Sequence, residues 1–240
     1  QFALDHLLVY YKFCTLYNEP FPPLLLERLK AACEFLHTIC DRSGNYPHIG
    51  DDDGGYLITP WIGNHTNVTS ILATGALLHT EPRWAVYQEN LDQKSVFILG
   101  PRAAQVWKEL RRVSQVRPPS LVRYRHFPQS GLAVIRDRRH HIVFVGNGGP
   151  LGLPPLYGHG HADALSIWLS VAGKPVLLDP GTYLYQNGGA WRPYFRSSNA
   201  HTTVCIDNAD QALQAGDFMF SRPYRIIRSS LSCKDEHCIW

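Results

Sequence analysis

The chain has 240 residues, 23 Lys and Arg against 20 Asp and Glu for a formal net charge of +3, and is 45% hydrophobic and 18% charged, ordinary for one large or two modest globular domains. A charge this small suits an anionic polymer as partner and gives no support to nucleic-acid binding, while no apolar run approaches the roughly 18 residues of a membrane-spanning helix. The six cysteines, Cys14, Cys33, Cys40, Cys205, Cys233 and Cys238, include no CxxC pair and are too dilute for a disulfide scaffold, so they read as mostly buried thiols.

Residues 2 to 17 place Phe2, Leu4, Leu7, Leu8, Tyr10, Tyr11, Phe13 and Leu16 at helical spacing, a pattern wide enough to predict a helix buried on most of its surface. The proline-rich break 19–23 separates it from a second predicted helix, about Leu24 to Cys40, with Leu25, Leu29, Ala32, Phe35, Leu36 and Ile39 inward. A polar loop follows, 41–55, with the acidic run Asp51-Asp52-Asp53. Clustered carboxylates in a Gly-rich loop suit a hard cation, but the full EF-hand spacing is missing, and an Asp-rich turn with capping carboxylates is the plainer reading. A third helix is predicted at about Asn67 to Leu78, with Asn64 as its cap and small residues for close packing; the sequons at Asn64 and Asn67 are weak signals. Residues 81–118 read as a connector whose basic run, 106–112, is a solvated face or a polyanion patch.

From Ser120 the period changes to that of strands. Residues 132–135 and 142–145 predict a hairpin with a polar tip, and Val204–Ile206 and Tyr224–Leu231 further strands. The glycine-rich 146–152 lacks the following Lys-Ser/Thr of a phosphate-binding loop. In His159-Gly-His161-Ala-Asp163 the alternate residues are polar, and an extended segment would put both imidazoles and the carboxylate on one face. Leu165, Ile167, Leu169 and Val171 continue that parity, and Val176-Leu-Leu ends at Asp179 before a Pro-Gly turn. A strand, a turn and a returning strand would bring a carboxylate back to the imidazoles. Two imidazoles and a carboxylate form a standard zinc set with one open position; without thiolates, an iron–sulfur or all-Cys site is not expected.

His-Gly-His-Ala-Asp (159–163), Asp-Pro-Gly-Thr-Tyr (179–183), Tyr-Phe-Arg-Ser (194–197), Ala-His-Thr (200–202) and Ile-Asp-Asn-Ala-Asp-Gln (206–211), in this order, resemble the C-terminal half of the heparinase II/III-like polysaccharide lyases. The resemblance implies one zinc ion held by His161, Asp179 and His201, with His159 facing the substrate. Thr202 stands where that family usually has Asn. Asp163 then reads as an orienter of a ring N–H, and Arg192, Arg196, Tyr185 and Tyr194 as the wall for an anionic substrate, with internal pairing of Arg196 to Asp163 or Asp207 as the other reading. Tyr46, His48 and Asp51 would line a subsite.

The implied fold is α+β multidomain: residues 1–80 as the last helices of an incomplete (α/α) toroid, 81–118 as connector, and 119–240 as a truncated antiparallel β-sandwich. The implied reaction is β-elimination on a uronic-acid-containing polysaccharide, in a secreted or periplasmic protein. That chemistry needs a carboxylate neutraliser, a base for the C5 proton and an acid for the O4 oxygen. No tyrosine here matches the family's base, which together with the neutraliser is expected before Gln1. A zinc-dependent hydrolase with Asp163 as base, or a non-catalytic carbohydrate-binding module using Trp191, Tyr194 and Tyr185, are the alternatives.

Overall fold

The computed structural model describes residues 1–52, 54–58, 66–116, 122–234 and 237–240. Asp53, Asn64 with its expected capping role, His65, Pro118, Pro119 and Ser120 lie outside the described residues. The chain divides into a helical unit of residues 1–44 and 55–119 and a sheet unit of residues 45–54 and 120–240. Among the described residues no helix is long and apolar enough to cross a membrane.

In the helical unit, α1 (Phe2–Leu16), α2 (Pro23–Ile39), α3 (Asn67–Leu78), α4 (Gln93–Leu99) and α5 (Ala103–Val116) pack around α3. Pro23 opens α2, where its fixed φ suits the first helical position and its missing N–H costs no bond. The cap of α3 is Thr66, whose hydroxyl accepts from the Thr69 amide at 3.2 Å. Asn67 to Ala76 are all buried, so α3 is the core of this unit. Asn67, 1% exposed, donates to the Asp5 carboxylate, which leaves its sequon out of reach. Lys94 on α4 bonds both Asp5 and Asn67 at 2.5 Å, tying three helices through one buried cation.

Two expectations fail here. The first helix buries only Asp5, Leu8 and Cys14, while Phe2, Tyr10, Phe13 and Leu16 are about half exposed, because no described element covers that flank. The stretch expected as a connector is part of the helical unit. Trp84 and Trp107, 1% and 2% exposed, anchor it, and their indole N–H groups donate to the Glu34 carboxylate and the Glu89 carbonyl at 3.2 Å. Its basic residues Lys108 and Arg112 point to solvent.

The sheet unit is built on five antiparallel strands in sequential order, β1 (Val122–Phe127), β2 (Leu132–Asp137), β3 (Ile142–Asn147), β4 (Ser166–Val171) and β5 (Lys174–Leu177). The β2–β3 hairpin has the expected polar tip, with Val134 opposite Val145 in the buried layer. Ala172 and Gly173, both at positive φ, make the two-residue β4–β5 turn, a geometry matched to strand twist. On β4 the buried residues are Ser166, Trp168 and Ser170, the parity opposite to the one expected. Leu165, at φ 63°, breaks the alternation just before the strand, so the face read from His159–Asp163 does not carry through. That segment is irregular backbone, not a strand.

Two hairpins complete the unit, β6 (Leu213–Gly216) with β7 (Met219–Arg222), and β8 (Ser232–Lys234) with β9 (His237–Ile239). A short helix, α6 (Trp191–Phe195), precedes them. Val204–Ile206 is not a strand: Asp207 and Asn208 at positive φ close a tight turn that leaves a single bridge, Ile206 to Ala209. Residues 224–231 form no strand either, having no ladder partner among the described residues. Cys233 and Cys238 stand directly opposite on β8 and β9 and form a disulfide, against the expectation of thiols; Cys14, Cys33 and Cys40 are buried thiols, and Cys205 is free and partly exposed.

Candidate metal and substrate site

Four loop segments of the sheet unit converge beside β3 and β4. The turn run 157–165 is pinned by backbone: the Ala162 amide donates to Arg196 O at 2.9 Å, and the Leu165 amide to Asn147 O at 2.7 Å. After β5, the Asp179 carboxylate accepts from the Gly181 amide at 2.9 Å, a local turn that holds its side chain at the sheet end. A single 3-10 turn, Ser198–Ala200, delivers His201. The fourth segment is the loop 45–54, whose Pro47 and Ile49 line a small crevice with Val145, Trp168 and Asp179.

Asp163, Asp179 and His201 each bring one ligand atom within 4.8 Å of the others. His201 Nδ1 is 3.3 Å from Asp179 Oδ2. The His161 ring is 5.3 Å from the His201 ring. Three buried ring nitrogens have no hydrogen-bond partner among the described residues, namely His161 Nδ1, His201 Nδ1 and His201 Nε2. Burial, with Asp179 close by, pushes the Asp163 carboxyl up to about 6 although His201 opposes the shift. Burial alone would lower His201, but the Asp179 carboxylate beside it raises it. A buried pocket with two carboxylates and bare imidazole nitrogens has a surplus of acceptors and fits a divalent cation of the zinc type.

Beside this cluster lies a carboxylate that the sequence reading gave only a lining role. Asp51, its side chain 1% exposed, receives both Arg192 Nη atoms at 2.5 and 2.6 Å. It is also 3.0 Å from His161 Nε2 and 3.3 Å from His159 Nδ1. Burial would raise Asp51, but the hydrogen bonds from Arg192 and His161 outweigh it and hold the group well below the usual carboxylate range. The available signal was the acidic run itself, and nothing in its spacing singled out Asp51 over Asp52.

His159 is the exposed member, its side chain 69% accessible. It stacks on Tyr185 at 5.9 Å, and the Tyr185 hydroxyl is 3.2 Å from the same Nδ1 that faces Asp51. Tyr194, 45% exposed, belongs to a separate aromatic group with Tyr183, Trp191 and Phe195. His48 stacks on Tyr46 and lies 3.7 Å from Asp52, half exposed.

The two arginines do not form a wall. Arg192 and Arg196 are 1% and 0% exposed. The Arg192 fork is spent on Asp51 and the Asp217 carbonyl. Arg196 pairs with neither Asp163 nor Asp207; it donates to the carbonyls of Gly158, Gly160, Gly216 and Asp217. Its burial, with Arg192 nearby, lowers it to about 10. Asp163 accepts from the Asn147 side-chain Nδ2 at 3.0 Å, and Thr202 donates its hydroxyl to the Ile167 carbonyl.

Residues 120–235 match the family described as heparinase II/III-like, C-terminal. This stretch is similar to a heparinase II/III-like C-terminal domain. Solved structures agree at the level of fold. A heparan sulfate lyase, HepC from Pedobacter heparinus, matches with a TM-score of 0.58 and 19% identity over 87% of this chain and 29% of its own. A heparinase III gene product with methylated lysines gives 0.54 and 18% over 80% and 25%, and another heparinase III 0.50 and 16% over 86% and 31%. The chain thus spans between 25% and 31% of the length of these heparinases. No curated protein matches it.

Proposed function

We propose that this chain is part of a polysaccharide lyase that cleaves a uronic-acid-containing anionic polysaccharide by β-elimination. On this reading the helical unit supplies the closing helices of an (α/α) toroid and the sheet unit part of a β-sandwich. The observation that carries it is one exposed histidine, His159, set against the buried Asp51 carboxylate in the stretch that matches the heparinase II/III-like family.

His161, Asp163, Asp179 and His201 would hold a zinc ion. Bound there, it would supply a fixed positive charge that offsets the two carboxylates and ties loop segments together. The chain's own residues do the rest. With Nδ1 of His159 facing Asp51 and the Tyr185 hydroxyl, its Nε2 is left to carry a proton at the surface, to the leaving O4 oxygen or against the substrate carboxylate. Arg192 and Arg196 act from beneath, holding Asp51 and the 157–165 turns. The reading assigns no base for the C5 proton to these residues.

The test is the full-length protein incubated with heparan sulfate, alginate and a bacterial exopolysaccharide. An elimination product, an unsaturated uronate absorbing in the ultraviolet, is expected with one of them. Reducing ends released without that absorbance would indicate a hydrolase instead, and binding without cleavage a carbohydrate-binding module.

A further inference from the structure

Asp51 arrives from a loop 108 and 110 residues away in sequence from the two histidines it meets. The loop is clamped in place by its neighbours. The Asp51 amide donates to His159 O at 2.9 Å, and the Asp52 amide to the Thr182 hydroxyl at 2.6 Å. Gly50, at φ 70°, passes so close that a Cβ would sit 2.7 Å from His159 O. The carboxylate and the His161 and Arg192 side chains it meets are each 0% or 1% exposed.

We infer that Asp51 is a positioning residue that fixes the His161 ring, with its proton on Nε2 and Nδ1 left bare beside His201. A carboxylate can only accept, so the nitrogen facing it carries the hydrogen. Nδ1, buried and without a partner among the described residues, is then the nitrogen with a lone pair to give. Arg192 completes the arrangement: its bidentate fork neutralises Asp51 and sets the plane of the carboxylate, so His161 meets an oxygen of fixed direction. Carboxylates behind imidazole ligands fix ring tautomer and orientation in this way. The inference rests on the metal-cluster reading above for its purpose, but its geometry is independent of any substrate.

The experiment uses the 240-residue chain and two readouts. In metal-free protein, the ring-nitrogen NMR shifts of His161 near neutral pH are expected to show Nε2–H with a bare Nδ1. Asp51→Ala paired with Arg192→Leu, which removes both buried charges together so that neither is left unpaired, should lose that preference. The same double variant should bind added zinc about 10–100-fold more weakly than the unaltered chain. Asp51→Asn, whose amide oxygen still accepts, should keep the Nε2–H form. The opposite tautomer in the unaltered chain, protons on both nitrogens, or an unchanged ring pattern in the folded double variant overturns the inference. If the double variant does not fold, the unaltered chain and Asp51→Asn still decide it. A chain with the expected tautomer whose full-length form yields no unsaturated product would sink the lyase reading alone.

Discussion

The Arg192 guanidinium lies on Asp51 with both Nη atoms at 2.5 and 2.6 Å and 1% exposure, so its removal would leave a buried carboxylate supported by imidazole alone. Breaking a buried pair from one side costs about 3–5 kcal/mol, and Arg192→Leu is expected to lose that much in urea unfolding; a loss under about 1 kcal/mol, typical of an exposed pair, would refute the buried-pair account. The same carboxylate sets a pH dependence. Its folded-state pKa is depressed, so its stabilisation is present above the unfolded value near 3.8 and is lost as pH falls further through the folded one. Asp51→Asn should flatten the acid limb of the stability curve below about pH 4. His159 behaves oppositely, being exposed: on the proposed lyase reading, His159→Ala should leave melting temperature and the binding of added zinc unchanged, yet lower the kcat of the full-length protein roughly a hundredfold or more. Residue type pointed to these side chains in the sequence but not to their roles, because a guanidinium that suits an anionic sugar suits an internal carboxylate equally well. Which one claims it depends on a loop more than a hundred residues away.

Helices and hairpins were legible for a physical reason, namely that their signals are local. The third helix runs over Asn67–Leu78 as its apolar and small residues indicate, and the hairpin around the 138–141 tip follows its alternation. The His159–Asp163 segment misled because the period-2 pattern presumes an extended backbone, and Tyr157 and Leu165 at positive φ break it at both ends. Small residues on α3 did mean close packing: a Cβ at Gly75 would lie 2.5 Å from Cys33 Sγ on α2. In a solvent-facing helix Gly→Ala gains up to about 1 kcal/mol, but here overpacking should cost about 1–3 kcal/mol. Gly75→Ala is therefore expected to destabilise, and adding Cys33→Ala to restore most of the loss; a stabilised single variant would show that the helices separate at little expense. Burial and the nearby Glu34 carboxylate push the Cys33 thiol up to about 12, so it should resist alkylation until the helical unit unfolds.

At the scale of the whole chain, the two units do not follow the sequence in simple succession. Residues 45–54 sit between helices in the chain, yet they pack with residues 120–240 and supply Asp51. A boundary drawn where the hydrophobic period changes, near residue 119, therefore cuts through the candidate site, since composition along the chain carries no trace of which loop closes on which sheet. The consequence is measurable. Residues 120–240 produced alone would carry Arg192 buried without Asp51, and His161 Nε2 without its acceptor. This piece should melt at a lower temperature than the sheet unit does within the 240-residue chain and, on the proposed zinc reading, take up added zinc more weakly, and a synthetic peptide of residues 45–54 should raise both values. The same peptide with Asp51→Ala should not, because its Pro47 and Ile49 could still cover the sheet but nothing would meet the guanidinium. Equal rescue by both peptides would reduce the loop to an apolar cover, and no rescue by either would mean that the piece has lost the arrangement of 157–165 on which the loop docks.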